Sequence, residues 1–233
     1  GFVEDVESIL SHIPEKRQTM LFSATLSSSI NHLIKKYLRD PVTIKTEVHV
    51  EKHLLKQVYY VVPAREKFSL FVHLLKKNPV GFCLVFCGTR HEVDILTKNL
   101  RLQKLRVMGI HGGLTQAKRT HALDELKKER IHILVATDVA ARGLDIRNVS
   151  YVYNYNVSKT PEEYVHRIGR TARAGAEGEA ITLLSERDYD NFNRILTDRS
   201  LHIARETVPS FERISFHREE QGHHGFRGHD RRT

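Results

Sequence analysis

Three arginines spaced three residues apart, Arg167, Arg170 and Arg173, lie in the stretch Thr160-Pro-Glu-Glu-Tyr-Val-His-Arg-Ile-Gly-Arg-Thr-Ala-Arg-Ala-Gly175. A guanidinium is a planar fork of donors that can grip two oxygens at once, so several on one side suit a polyphosphate. Thr160 with Glu163 makes a capping box, Pro161 fits the first helical position and Gly175 supplies a stop. These signals predict a helix over 161–171. At about 100° per residue, a step of three falls about 60° short of a full turn, so the arginines share an arc of about 120°. His166 belongs to the same segment, and Ile168, Gly169 and Ala172 would let a partner approach closely. A basic face turned to solvent has the same pattern.

Other segments offer complementary chemistry. In Thr137-Asp-Val-Ala-Ala-Arg-Gly-Leu-Asp-Ile146, Thr137 and Asp138 stand where a strand opens into a turn or short helix. Backbone amides and a hydroxyl there can receive a phosphate. Gly143 allows close approach, and Asp145 can accept from a ribose hydroxyl. The same residues would also serve as a helix cap and a plain stop. Phe86-Cys-Gly-Thr89-Arg90 ends another strand, and Thr89 with Glu92 forms a further capping box. His111-Gly112-Gly113 ends a third, ahead of a helix carrying Gln116-Ala-Lys118-Arg119. Threonine, glycine and arginine at neighbouring strand ends make a track for a sugar-phosphate backbone. These loops present no aromatic platform for bases, so contact is expected to be indifferent to base sequence. No Gly-x-x-x-x-Gly-Lys-Ser/Thr loop occurs, so most of any bound nucleotide must be held elsewhere.

The elements that must place these residues alternate. Strands are expected at 58–62, 82–86, 106–110, 131–136, 151–153 and 180–184. Helices are expected at 64–76, 90–103, 115–128, 161–171 and 186–197. Apolar strands separated by amphipathic helices predict an α/β fold with a parallel sheet covered on both faces. Ligands of such sheets sit beyond the carboxyl ends of the strands. Before it, helices at 2–13 and 27–38 flank a short strand at 19–22. That piece is too small to bury its own apolar faces and reads as the end of a domain that begins upstream. Residues 42–53 read as a linker, and 206–233 as a basic, mobile tail whose Phe211, Ile214 and Phe216 are too scattered for a core.

The chain has 233 residues, 40% hydrophobic and 28% charged, with formal net charge +9 and pI near 9.6. This basic balance favours an anionic partner, nucleic acid over membrane. No apolar run is long enough to span a bilayer. Cys83 and Cys87, on one strand, lie about 13 Å apart and cannot bridge each other. They read as buried thiols of a reducing compartment, the cytoplasm, and no metal site is expected.

Taken together, Ser23-Ala-Thr25, Val85-Phe86 with Thr89-Arg90, Gln116-Ala-Lys-Arg119, Ala136-Thr-Asp-Val-Ala-Ala-Arg-Gly-Leu-Asp145 and His166-Arg-Ile-Gly-Arg-Thr-Ala-Arg173 resemble the later motifs of DEAD-box RNA helicases, in order and spacing. The resemblance implies that 54–205 is the second RecA-like domain and 1–41 a partial RecA-like remnant, the last part of the first. It implies Arg170 and Arg173 at the γ-phosphate, worth about 10³–10⁵ in rate, and His166 linking the two domains. It places Gly143 and Asp145 at the nucleotide, and Ser23 and Thr25 coupling hydrolysis to duplex separation. Thr89, Arg90, Gly112, Arg119, Thr137 and Arg142 would line RNA. ATP with Mg²⁺ would be held mainly by the first RecA-like domain in cis.

Three positions depart from the family pattern. Asn156-Val-Ser158 stands where Asp-x-Pro is frequent, Ala172 where Gly is frequent, and Gly113 where Asp is frequent. The expected function is that of the C-terminal part of an ATP-dependent RNA helicase, inactive by itself, with self-association through residues 1–41 as a further expectation. The alternatives are a non-enzymatic RNA-binding or chaperone module and a DNA helicase of the same superfamily.

Overall fold

The computed structural model describes residues 3–23, 28–44, 54–78, 81–142, 144, 146, 149–172 and 175–218. Gly1–His49 form one compact unit and Val50–Thr233 another. In the first, α1 (Val3–Ser11) and α2 (Ser28–Tyr37) carry the expected helical periodicity. The Glu7 carboxylate joins them, accepting from Lys36 Nζ at 2.6 Å and Tyr37 Oη at 2.5 Å. No residue of α1 is buried, and Val6, Ile9 and Ile13 remain exposed. The strand expected at 19–22 does not form. That segment is irregular, with Met20 and Phe22 exposed. A strand needs a neighbour for its N–H and C=O groups, and the described residues of this unit supply none.

The second unit alternates strands and helices: β1 (Leu55–Val61), α3 (Lys67–Lys77), β2 (Phe82–Cys87), α4 (Arg90–Leu102), β3 (Val107–Ile110), α5 (Gln116–Lys127), β4 (Ile133–Thr137), α6 (Asp138–Ala141), β5 (Val149–Asn154), α7 (Pro161–Ile168), β6 (Gly178–Leu184), α8 (Tyr189–Leu196) and β7 (Ala204–Arg205). All seven strands lie in one parallel sheet, ordered β3-β4-β2-β5-β6-β1-β7. Alternate side chains enter opposite cores. Leu84 and Phe86 of β2 pack with α5, α7 and α8, whereas Cys83, Val85 and Cys87 pack with α3 and α4. The sheet is therefore covered on both faces, as its apolar strands require. Pairing of Ile110 with Ala136, Cys87 with Thr137 and Phe86 with Asn154 levels four strand ends. His111, Thr137, Gly88 and Tyr155 therefore emerge along one rim.

Two expectations need correction. The arginine helix α7 ends at Ile168 with Gly169 as its C-cap, well before Gly175. The chain turns there because Thr171 pairs with Val149, its buried hydroxyl donating to the carbonyls of Val149 and Ser150. Gly175 instead has φ +79° in the turn before β6. The tail is also not loose as far as it is described. Residues 208–218 cross α3 and α4, with Phe216 against Phe68 at 4.9 Å and Ile214 exchanging hydrogen bonds with Ser69. Asn99 donates to the His217 carbonyl and accepts from its N–H, both at 2.9 Å or less. The scattered aromatics fit because an extended strap, unlike a helix, needs no 3.6-residue period. Residues 219–233 and 45–53 lie outside the described residues.

Candidate functional site

At the β2 end, Thr89 caps α4, accepting from the Glu92 N–H and donating to Glu92 Oε2, both at 3.1 Å. This capping settles the local role of the hydroxyl and leaves Thr89 and Arg90 exposed. The Arg90 guanidinium lies beside Gly112: a Cβ on that glycine would come within 3.4 Å of Nη2. Two of the expected RNA-facing loops thus touch. The Gly112-Gly113 turn is pinned by His111, whose Nδ1 accepts from the Gly113 N–H at 3.1 Å while Nε2 donates to Asp94 at 3.0 Å. Arg119 leans on Gln116, and its buried Nε has no hydrogen-bond partner.

At the β4 end the capping alternative does not hold: Thr137 precedes α6 without a side-chain cap. Asp138 is engaged instead by Arg167, which donates from Nε and Nη2 to the two carboxylate oxygens at 2.7 and 2.8 Å. Arg167 Nη1 reaches the Asn156 carbonyl at 2.6 Å and Asn154 Oδ1 at 3.1 Å, and its guanidinium covers the Phe86 ring at 5.0 Å. With this side chain 3% exposed, the three arginines do not form one outward row. Arg167 is consumed in holding α7 to the ends of β2, β4 and β5.

Arg170 follows the C-cap, part-buried, and donates to the Leu144 carbonyl at 3.3 Å. It lines a narrow crevice with Arg142, His166, Glu163 and Asp138. Burial lowers the pKa of His166, and the charges of Arg142 and Arg170 lower it further. The crevice therefore sets the Arg142 and Arg170 guanidiniums beside the Glu163 carboxylate and an Asp138 already paired with Arg167, an excess of positive charge that welcomes anionic oxygens. Gly143, Asp145 and Arg173 lie outside the described residues, as does Thr25. Ser23 is exposed in the first unit. Among the described residues, no group of three or more His, Cys, Asp and Glu could hold a metal ion.

A family profile described as the helicase conserved C-terminal domain matches residues 66–175. The DEAD-box ATP-dependent RNA helicase CshA of Bacillus licheniformis is 42% identical over 213 residues, which is 91% of this chain but 44% of that protein. The chain thus spans less than half the length of that curated relative. A solved chain of the E. coli DEAD-box protein SrmB, in complex with regulator of ribonuclease activity A, is 36% identical with a TM-score of 0.62. The match covers 69% of this chain and 98% of that one. The chain belongs to the DEAD-box helicase family. S. cerevisiae Dbp5, solved with RNA and ADP BeF3, superposes with a TM-score of 0.78 at 27% identity, covering 88% of this chain and 55% of its own. The sheet is accordingly the RecA-like fold of the DEAD-box C-terminal domain.

The departures from the DEAD-box pattern now have physical content. Ala172 is buried with φ +53°, a left-handed conformation that glycine adopts without penalty and alanine does not. At Gly113 a Cβ would press to 3.1 Å from the His111 ring. Sequence reasoning missed Asp94, Asp138 and Asn156 as fasteners. An aspartate or asparagine after a strand, as at 138 and 156, reads as turn chemistry, Asp94 reads as a solvated position of α4, and the distant partner of each is invisible in the local pattern.

Proposed function

We propose that this chain is the C-terminal part of an ATP-dependent RNA helicase, with 54–205 as the second RecA-like domain, 1–41 as the end of the first and 42–53 between them. RNA runs along the rim by its backbone, past Thr89, Arg90, Gly112, Arg119, Thr137 and Arg142. Arg170, with Arg173, completes a nucleotide pocket at the γ-phosphate. His166 meets the first RecA-like domain in cis, Gly143 and Asp145 approach the nucleotide, and Ser23 with Thr25 couples hydrolysis to strand separation. The first domain supplies most of the site for ATP with Mg²⁺. The carrying observation is the Asp138–Arg167 clamp, which ties the β4 and β5 ends of the rim to α7, just ahead of Arg170. The buried thiols Cys83 and Cys87 support a cytoplasmic setting, and the exposed apolar residues of α1 support self-association of the isolated chain.

Closure of the two domains on one strand, rather than base reading, separates the duplex. The 233-residue chain therefore binds RNA weakly and does not turn over ATP. ATP hydrolysis by a pure sample would overturn this reading. In a longer protein containing both domains, Arg170→Ala abolishes turnover and leaves RNA binding nearly intact. Arg119→Ala weakens binding to all sequences alike and makes the log affinity against log salt slope shallower by about 0.7. A loss confined to particular sequences would argue against backbone contact. ATPase stimulation by RNA but not by DNA separates this reading from a DNA helicase.

A further inference from the structure

Asn156 lies just beyond β5, between the β2 end, α4 and α7. Its N–H donates to the Phe86 carbonyl at 3.2 Å, and its own carbonyl accepts from Arg167 Nη1 at 2.6 Å. Its side chain turns the other way. Oδ1 accepts from the Gly88 N–H at 3.1 Å, and Nδ2 donates to Glu92 Oε1 at 3.1 Å. The remaining Glu92 oxygen takes the Thr89 hydroxyl. One residue thus connects the exposed Thr89-Arg90 corner to the Arg167–Asp138 clamp.

The orientation of the carboxamide follows from chemistry. A backbone N–H can only donate and a carboxylate can only accept, so the oxygen must face Gly88 and the NH₂ group must face Glu92. An aspartate could satisfy Gly88 but would set a second carboxylate against Glu92, with no proton to share at neutral pH. The Asp-x-Pro pattern frequent at this position would therefore lose the link that Asn156 provides.

We propose that the Asn156 carboxamide is a positioning residue for RNA binding: by bridging Gly88 and Glu92 it fixes the α4 cap, and with it Thr89 and Arg90, relative to the arginine helix. This rests on the reading of the rim as the RNA track. Asn156 itself touches no RNA. It acts by keeping the corner preorganised, so that the binding strand does not have to order it.

The test is the affinity of the 233-residue chain for a fluorescent single-stranded RNA, compared among wild type, Asn156→Asp, Glu92→Gln and the double variant. Asn156→Asp should bind about tenfold more weakly, the equivalent of one lost charge-assisted hydrogen bond. In the double variant, the glutamine introduced at position 92 supplies the NH₂ group that the aspartate at position 156 lacks, while its oxygen still accepts from Thr89. Affinity should return to within about twofold of Glu92→Gln. A generally damaged fold would not be repaired by reversing donor and acceptor. Asn156→Asp with wild-type affinity, or a double variant as weak as the single, overturns the inference alone. If Asn156→Asp does not fold, comparing the double variant with Glu92→Gln decides the question in the same way. A wild-type chain that binds no RNA overturns the reading of the rim, and the inference with it.

Discussion

Arg167 is enclosed by acceptors: the Asp138 carboxylate, the Asn156 carbonyl and Asn154 Oδ1. Removing it leaves Asn154 Oδ1 and the Asn156 carbonyl without this donor, while Asp138, 25% exposed, keeps partial access to water. Arg167→Ala should cost about 1–3 kcal/mol in urea denaturation, the range for leaving buried polar groups without their partner. Arg167→Lys should recover little, because an ammonium cannot span both carboxylate oxygens and the two further acceptors. His166, on the adjacent face of α7, obeys a different balance. Its folded pKa is depressed, first by burial and then by Arg142 and Arg170. The unfolded chain therefore takes up this proton more readily, near pH 6.5. The contribution of His166 to stability is present above that pH and is lost as pH falls through the lower folded value. An NMR titration should place the imidazole below the unfolded reference, and Arg142→Ala should move it upward. A His166 that titrates at or above the reference would contradict the crowding of cations in the crevice.

At the scale of elements, alternation was the legible part. Strands buried on both faces and helices between them follow from apolar runs punctuated by Thr-x-x-Glu caps, and the caps at Thr89 and Thr160 form as the residues suggest. The rim placement of Thr89, Thr137 and His111-Gly112 follows from that alternation alone. The end of α7 was not legible, because it is set by a long-range event, the pairing of Thr171 with Val149. The strap over α3 and α4 was hidden for the same reason. Phe211, Ile214 and Phe216 have no period of their own, and the buried Asn99 and Ser69 that dock them lie more than a hundred residues earlier. Asn99 is 1% exposed and serves both polar groups of His217. Asn99→Ala should cost about 1–3 kcal/mol, since two backbone groups lose their partner. Amide hydrogen exchange at His217 should rise in the same variant.

On the scale of the whole molecule, the two units differ in what they bury. Val50–Thr233 encloses two apolar cores, one on each sheet face, whereas α1 in Gly1–His49 has no buried residue. The exposed Val6, Ile9 and Phe22 predict concentration-dependent association of the 233-residue chain by sedimentation. Deletion of residues 1–44 should relieve it while leaving the cooperative unfolding of the larger unit in place.

β7 is only two residues long, yet it lies alongside β1, and the Glu206 N–H donates to the Tyr59 carbonyl at 2.9 Å. Without it, β1 would present a row of free amides and carbonyls on this margin of the sheet, a template for any extended chain nearby. The short segment is thus a selvedge. Glu206→Pro, made in protein lacking residues 1–44, should loosen this edging while keeping the strap, and bring ladders grown margin to margin through β1, visible as light scattering that climbs with protein concentration.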